Sequence, residues 1–135
     1  MVYDTKELNR NAVLTALMEA RPTSRKRLAE LSGISPATVT RAVDQLIAEG
    51  VVAETSEIIS VSRGRRAVEL DIVADLSYVV GIDLGASRTR LILGDLVGNP
   101  VAARETSTPV DLPHPQLARW IGEQVRELGE CHLER

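Results

Sequence analysis

The stretch from Arg25 to Val52, RKRLAELSGISPATVTRAVDQLIAEGVV, limits what this chain can fold into more than any other. Ala29 is small where two crossing helices must approach closely, and Gly33, four residues on, permits a turn without the penalty of a Cβ atom. Leu28, Ile34, Val39 and Ala42 supply apolar contacts that fix the angle between the helices. Ser35-Pro36 reads as an N-cap followed by proline at the first helical position, and Gly50 is placed to end the second helix of the pair in the left-handed conformation. The pattern predicts two helices joined by a tight turn.

The flanks extend it. Leu8, Val13 and Leu17 recur at helical spacing and mark a preceding helix that Pro22 stops. Thr23 or Ser24 can cap the short helix carrying Leu28 and Leu31, and Val39, Val43, Leu46 and Ile47 mark the third. From Val51 onward β-branched residues take over. Strands at Val51–Glu54 and Ala67–Ile72 flank a loop containing Arg63-Gly64-Arg65-Arg66, a β-hairpin wing. Residues 1–72 therefore read as a winged helix-turn-helix. The central stretch resembles the lactose-repressor-type helix-turn-helix, from which Ser32 departs by standing at a place that is usually more apolar.

Burying Val39, Val43 and Leu46 turns the opposite face of the third helix outward, with Ser35, Ala37, Thr38, Thr40 and Arg41 early and Gln45 one turn on. In this motif the N-terminal part of that helix enters the major groove of duplex DNA. Arg41 can donate two hydrogen bonds to a guanine edge and Gln45 can pair with adenine, while Ala37 and the Thr38 methyl can meet a thymine methyl. Thr23, Ser24, Arg25 and Lys26, at the start of the second helix, are placed for phosphates. Arg63, Gly64, Arg65 and Arg66 put cations around a residue that lets the backbone lie deep in a narrow, A·T-rich minor groove.

A net charge of −3 does not oppose this reading. Between Arg21 and Leu46 the cations Arg21, Arg25, Lys26, Arg27 and Arg41 face only Glu30 and Asp44, and acidic residues collect elsewhere, notably in the C-terminal third. Phosphate contact depends on local charge at the docking face rather than on the total. With 44% hydrophobic and 26% charged residues the composition is globular. A single cysteine, Cys131, excludes an internal disulfide and a zinc site of its own, and the N-terminus shows no apolar signal region. These features lead us to expect a cytoplasmic setting. His114 and His132 stand alone and are expected on the surface or on a helix, and Trp120 is expected to pack the last helix against a sheet.

Residues 73–77 read as a linker, and 78–135 as a β-β-β-α order: strands at Tyr78–Asp83, Thr89–Leu96 and Val101–Thr106, a proline connector, and a helix marked by Leu117, Ile121, Val125 and Leu128. One helix on three strands leaves a sheet face uncovered and an edge open, so this second domain is expected to be incomplete. Asp83-Leu84-Gly85, with Ser87 and Thr89 in the turn and returning strand, has the form of a phosphate-loop hairpin, though Asp-x-Gly at a strand end is also an ordinary hairpin turn. The combination of winged helix, Arg-Gly-Arg wing and GIDLGASRTRLILGDLVGNPV resembles the ROK family, which joins repressors and sugar kinases.

The resemblance implies an α+β chain in which the winged helix precedes the start of an actin/sugar-kinase-like, ribonuclease-H-like α/β domain. Kinase members carry Asp-x-Gly-Gly-Thr. Here Asp83 and Gly85 match, but Ala86 and Ser87 replace the second glycine and the threonine, so Asp83, Gly85, Ser87 and Thr89 read as a vestigial phosphate loop. The family's catalytic aspartate, zinc-binding cluster and sugar-contacting residues have no counterpart here. The resemblance thus implies a non-enzymatic DNA-binding regulator, a homodimer or higher homo-oligomer repressing carbohydrate genes. Any sugar effector or zinc would belong to the remainder of a longer protein, with no cofactor in this chain. Two alternatives stay open: a sugar-kinase fragment with an accessory DNA-binding domain, and a winged helix used for protein contact.

Overall fold

The computed structural model describes residues 4–59 and 66–133, the side chains of 56–59, 66, 67 and 133 excepted. The chain divides into two compact units, Met1–Val73 and Ala74–Arg135.

In the first unit, helix α1 (Thr5–Ala20) begins where the Asp4 carboxylate accepts a hydrogen bond from the Lys6 N–H. It ends at Arg21, whose extended ψ of 143° is what a residue before proline prefers. Helix α2 (Arg25–Ser32) is capped by Ser24, whose hydroxyl accepts from the Arg27 N–H, and closes on Gly33 at φ 70°. The Ser32 hydroxyl accepts from the Ile34 N–H at 3.3 Å, satisfying a turn donor that an apolar residue would leave bare. Helix α3 (Pro36–Ala48) starts on the Ser35 cap. It stops in a Schellman arrangement, Gly50 N–H to Ile47 C=O and Val51 N–H to Leu46 C=O, with Gly50 at φ 77°.

Strands β1 (Val52–Ile59) and β2 (Arg66–Ile72) pair antiparallel with a bulge between Glu54 and Ser56, a longer wing than the sequence suggested. One core serves helices and wing together: Val13, Ala16, Leu17, Leu28, Val39, Val43, Leu46, Val52 and Leu70. Ala29, Ile34 and Ala42 pack at its margin, as the spacing required. Leu8 and Leu31, read as apolar-face residues, are 52% and 40% exposed and lie outside it. The α1–α2 connector joins the wing. Thr23 and Leu70 exchange both backbone hydrogen bonds (3.0 and 2.7 Å), and Arg21 holds Asp71 through Nε at 2.7 Å.

In the second unit a short 3₁₀ turn (Ala74–Leu76) leads to β3 (Tyr78–Leu84), β4 (Arg88–Asp95) and β5 (Pro100–Ser107), antiparallel in the order β3-β4-β5. Helix α4 (His114–Leu133) covers one face. Thr89, Leu91 and Leu93 alternate inward along β4, and Leu128 and Val125 meet Leu91, Leu93, Tyr78, Val80 and Ala102. Trp120 is half-buried, and the helix residues of this cluster are Val125 and Leu128. The opposite face keeps Val79, Ile92 and Val101 exposed. His132 rests edge-on against the Tyr78 ring, centroids 4.9 Å apart.

Candidate nucleic-acid interface

The α3 surface opposite Val39, Val43 and Leu46 is built on its N-cap. The Ser35 hydroxyl accepts from the Thr38 N–H (3.3 Å) and donates to Thr38 Oγ1 (2.9 Å). Arg41 Nη2 donates to the same oxygen at 3.3 Å. Thr38 Oγ1 thus accepts twice, which leaves its own proton to point outward. Arg41 is exposed and makes no ion pair among the described residues, so its remaining guanidinium donors are free. Ala37 and Thr40 are exposed beside it. Gln45 is half-buried, and its Nε2 donates to Glu49 Oε1 at 3.1 Å. Thr38, Arg41, Ala42 and Gln45 form one wall of a cleft of about 560 Å³ whose other wall is the start of α1, with Asp4, Lys6, Asn9 and Arg10.

The start of α2 divides the four residues expected at phosphates. Lys26 is exposed and carries no ion pair among the described residues. The Ser24 hydroxyl accepts at the cap and keeps its proton to donate. The other two do different work. Thr23 is 9% exposed and engaged in the bridge to Leu70, so it joins connector to wing rather than facing a phosphate. Arg25 is drawn to Asp44 (3.1 Å) and Glu54 (3.4 Å), where it ties α2 to α3 and β1 and spends its charge on surface ion pairs within the protein. The spacing signal could not separate Arg25 from Lys26, because the acids that claim Arg25 stand 19 and 29 residues away. Arg63, Gly64 and Arg65 lie outside the described residues. Arg66 opens β2, opposite Ile59.

Sequence comparison places these residues in context. Residues 7–53 match the family model described as winged helix-turn-helix DNA-binding. The chain is 34% identical over 122 residues to a xylose repressor of Caldicellulosiruptor bescii, covering 90% of this chain and 30% of that protein. It is 32% identical over 132 residues to the DNA-binding transcriptional dual regulator NagC of Escherichia coli, covering 93% and 32%. A solved ROK family transcriptional regulator, described as a homologue of the Escherichia coli Mlc protein, superposes with a TM-score of 0.73 at 22% identity, over 96% of this chain and 32% of that one. The chain has the fold of that ROK family regulator, and its sequence is similar to the xylose repressor and to NagC. It spans about a third of the length of these relatives.

In the second unit the Asp83–Thr89 hairpin is a closed turn. Gly85 N–H bonds the Arg88 carbonyl at 2.9 Å, and a Cβ at Gly85 would come within 2.5 Å of that oxygen, which is why glycine stands there. The Thr108 hydroxyl donates to the Gly85 carbonyl (2.8 Å) and receives the Thr89 hydroxyl (2.7 Å), while the Thr108 N–H bonds Ser87 O. Thr89 is 1% exposed and faces the core side of the sheet, so its place in the vestigial phosphate loop is corrected to a structural one. Asp83 and Ser87 remain exposed. Among the described residues no group of three or more His, Cys, Asp or Glu is placed to hold a metal ion. Among them, too, no helix is long and apolar enough to cross a membrane.

Proposed function

We propose that this chain binds duplex DNA in a sequence-specific manner, with the N-terminal turns of α3 in the major groove, as part of a transcriptional repressor of carbohydrate-related genes. The carrying observation is the Ser35–Thr38–Arg41 array. Two hydroxyls and an unpaired guanidinium are held in one hydrogen-bonded row on the outward face of a helix whose other face is locked in the core. Such a row can present a bidentate donor to a guanine edge at little ordering cost. Lys26 and Ser24 flank it as sequence-independent phosphate contacts. The wing arginines Arg63, Arg65 and Arg66 are proposed at an adjacent minor groove.

The sugar in this reading follows from what the relatives are named for: xylose repressors and an N-acetylglucosamine repressor. A homodimer would set two half-sites about 34–36 Å apart, and effector binding would shift the population toward a spacing that no longer fits. No enzymatic role is assigned, since the relatives are named as regulators and the hairpin's Thr89 and Thr108 hydroxyls are spent on one another and on Gly85. Selection of bound sites from random duplexes tests the proposal. It expects a two-fold-related motif, and recovery of random sequence would refute it.

A further inference from the structure

A three-residue relay stands behind Gln45. Arg10 of α1 reaches across to Glu49, with Nη2 at 2.7 Å from Oε2 and Nη1 donating to Oε1 at 2.9 Å. That paired carboxylate then accepts Gln45 Nε2 at 3.1 Å, four residues back along α3. The Arg10 hydrogen bond, helped by the Gln45 bond and nearby cations, holds the Glu49 carboxyl below its ordinary range despite an opposing desolvation effect, so it stays ionised and purely an acceptor. An ionised carboxylate can take only the NH₂ end of an amide. The orientation of the Gln45 amide is therefore fixed by chemistry, and its carbonyl oxygen is the end left for the cleft shared with Thr38 and Arg41.

We infer that Glu49, itself clamped by Arg10, is a positioning residue that makes Gln45 a hydrogen-bond acceptor on the recognition surface, selecting a base with an exocyclic amino group in the major groove. This inference rests on the DNA-binding reading above. Adenine (6-amino) and cytosine (4-amino) offer such a donor there, while guanine and thymine present acceptors. A free glutamine pairs with adenine through both amide ends. A glutamine with one NH₂ proton committed to Glu49 is held with its carbonyl toward the groove, and through that oxygen it reads the amino group of adenine or cytosine.

The test is site selection with the full chain and with Gln45→Ala, Glu49→Ala and Glu49→Gln, followed by titration of one selected duplex. The wild type is expected to prefer A or C over G or T at one position by about ten- to a hundredfold. Gln45→Ala should erase that preference. Glu49→Ala should relax the same position and no other, leaving the salt dependence unchanged. Glu49→Gln should relax it too, because an amide partner accepts either end of Gln45. Replacing the selected adenine by purine, or cytosine by pyrimidin-2-one, should cost wild type affinity and leave Gln45→Ala indifferent. A Glu49 that merely braces α1 against α3 would instead weaken all duplexes alike with base preference intact. That outcome overturns the inference, as does selection of G or T at the Gln45 position, or no position that responds to Gln45→Ala. Failure of the wild type to bind any duplex would sink the DNA-binding reading itself.

Discussion

At the scale of single residues the structure sorts cations that look alike in sequence. Arg25 and Lys26 are neighbours at the start of α2, yet Arg25 is held by Asp44 and Glu54 while Lys26 stands free. Replacing Lys26 with alanine should weaken specific and random duplexes alike and reduce the slope of log affinity against log salt by about 1. Arg25→Ala should leave that slope in place and cost at most about 1 kcal/mol of folding stability, since its pairs are solvent-facing. Fluorescence anisotropy across a salt series, with thermal melts alongside, checks both. The sequence marked the outward face of α3 correctly because that face is the complement of a core stripe with helical period. It missed the partners. Glu49, four residues from Gln45, was within reach of the i,i+4 rule, but Arg10 and Asp44 arrive from other helices.

At the scale of elements, local signals carried most of the fold. The caps at Ser24 and Ser35 and the left-handed glycines Gly33 and Gly50 bound α2 and α3 as their chemistry requires. Thr23 was misread because its role depends on Leu70, a strand 47 positions further on, and Thr89 because its partner Thr108 is 19 residues away. Core truncation should be costly: Leu28 is fully buried between three helices and the wing, and Leu28→Ala should remove about 2–5 kcal/mol in denaturant titration. Glycines in the second unit should behave oppositely by position. Gly85→Ala drives a Cβ toward a backbone carbonyl at 2.5 Å and should lower the melting temperature. Gly122→Ala, in mid-α4 with nothing within 4 Å, should stabilise by about 0.5–1 kcal/mol.

At the scale of the whole molecule, the two units rest on separate cores and share one acid-sensitive feature. The carboxyls of Glu49 and Glu105 are held below their ordinary range chiefly by hydrogen bonds from Arg10 and Arg88 respectively. At Asp95, desolvation acts in the opposite direction and is outweighed by hydrogen bonds from Asn99, Val97 and Gly98. A carboxyl depressed in the folded state contributes stability that is present above its unfolded value and lost as pH falls through the folded one. Thermal melts should therefore fall off below about pH 4, in both units, because each contains such a group. The second unit was legible as β-β-β-α from alternation along β4, and an ordinary hairpin turn at Gly85 was one of two readings left open; the part of Thr108 in closing it was not legible, because it comes from beyond β5.

The array on α3 is the claim on which the functional account stands, and Arg41 tests it most directly. On a selected duplex at low ionic strength, Arg41→Ala should cost about 1–3 kcal/mol and abolish discrimination at one base pair, while affinity for random duplex changes little. Equal loss on selected and random duplexes, or no loss on either, would contradict base reading by this helix.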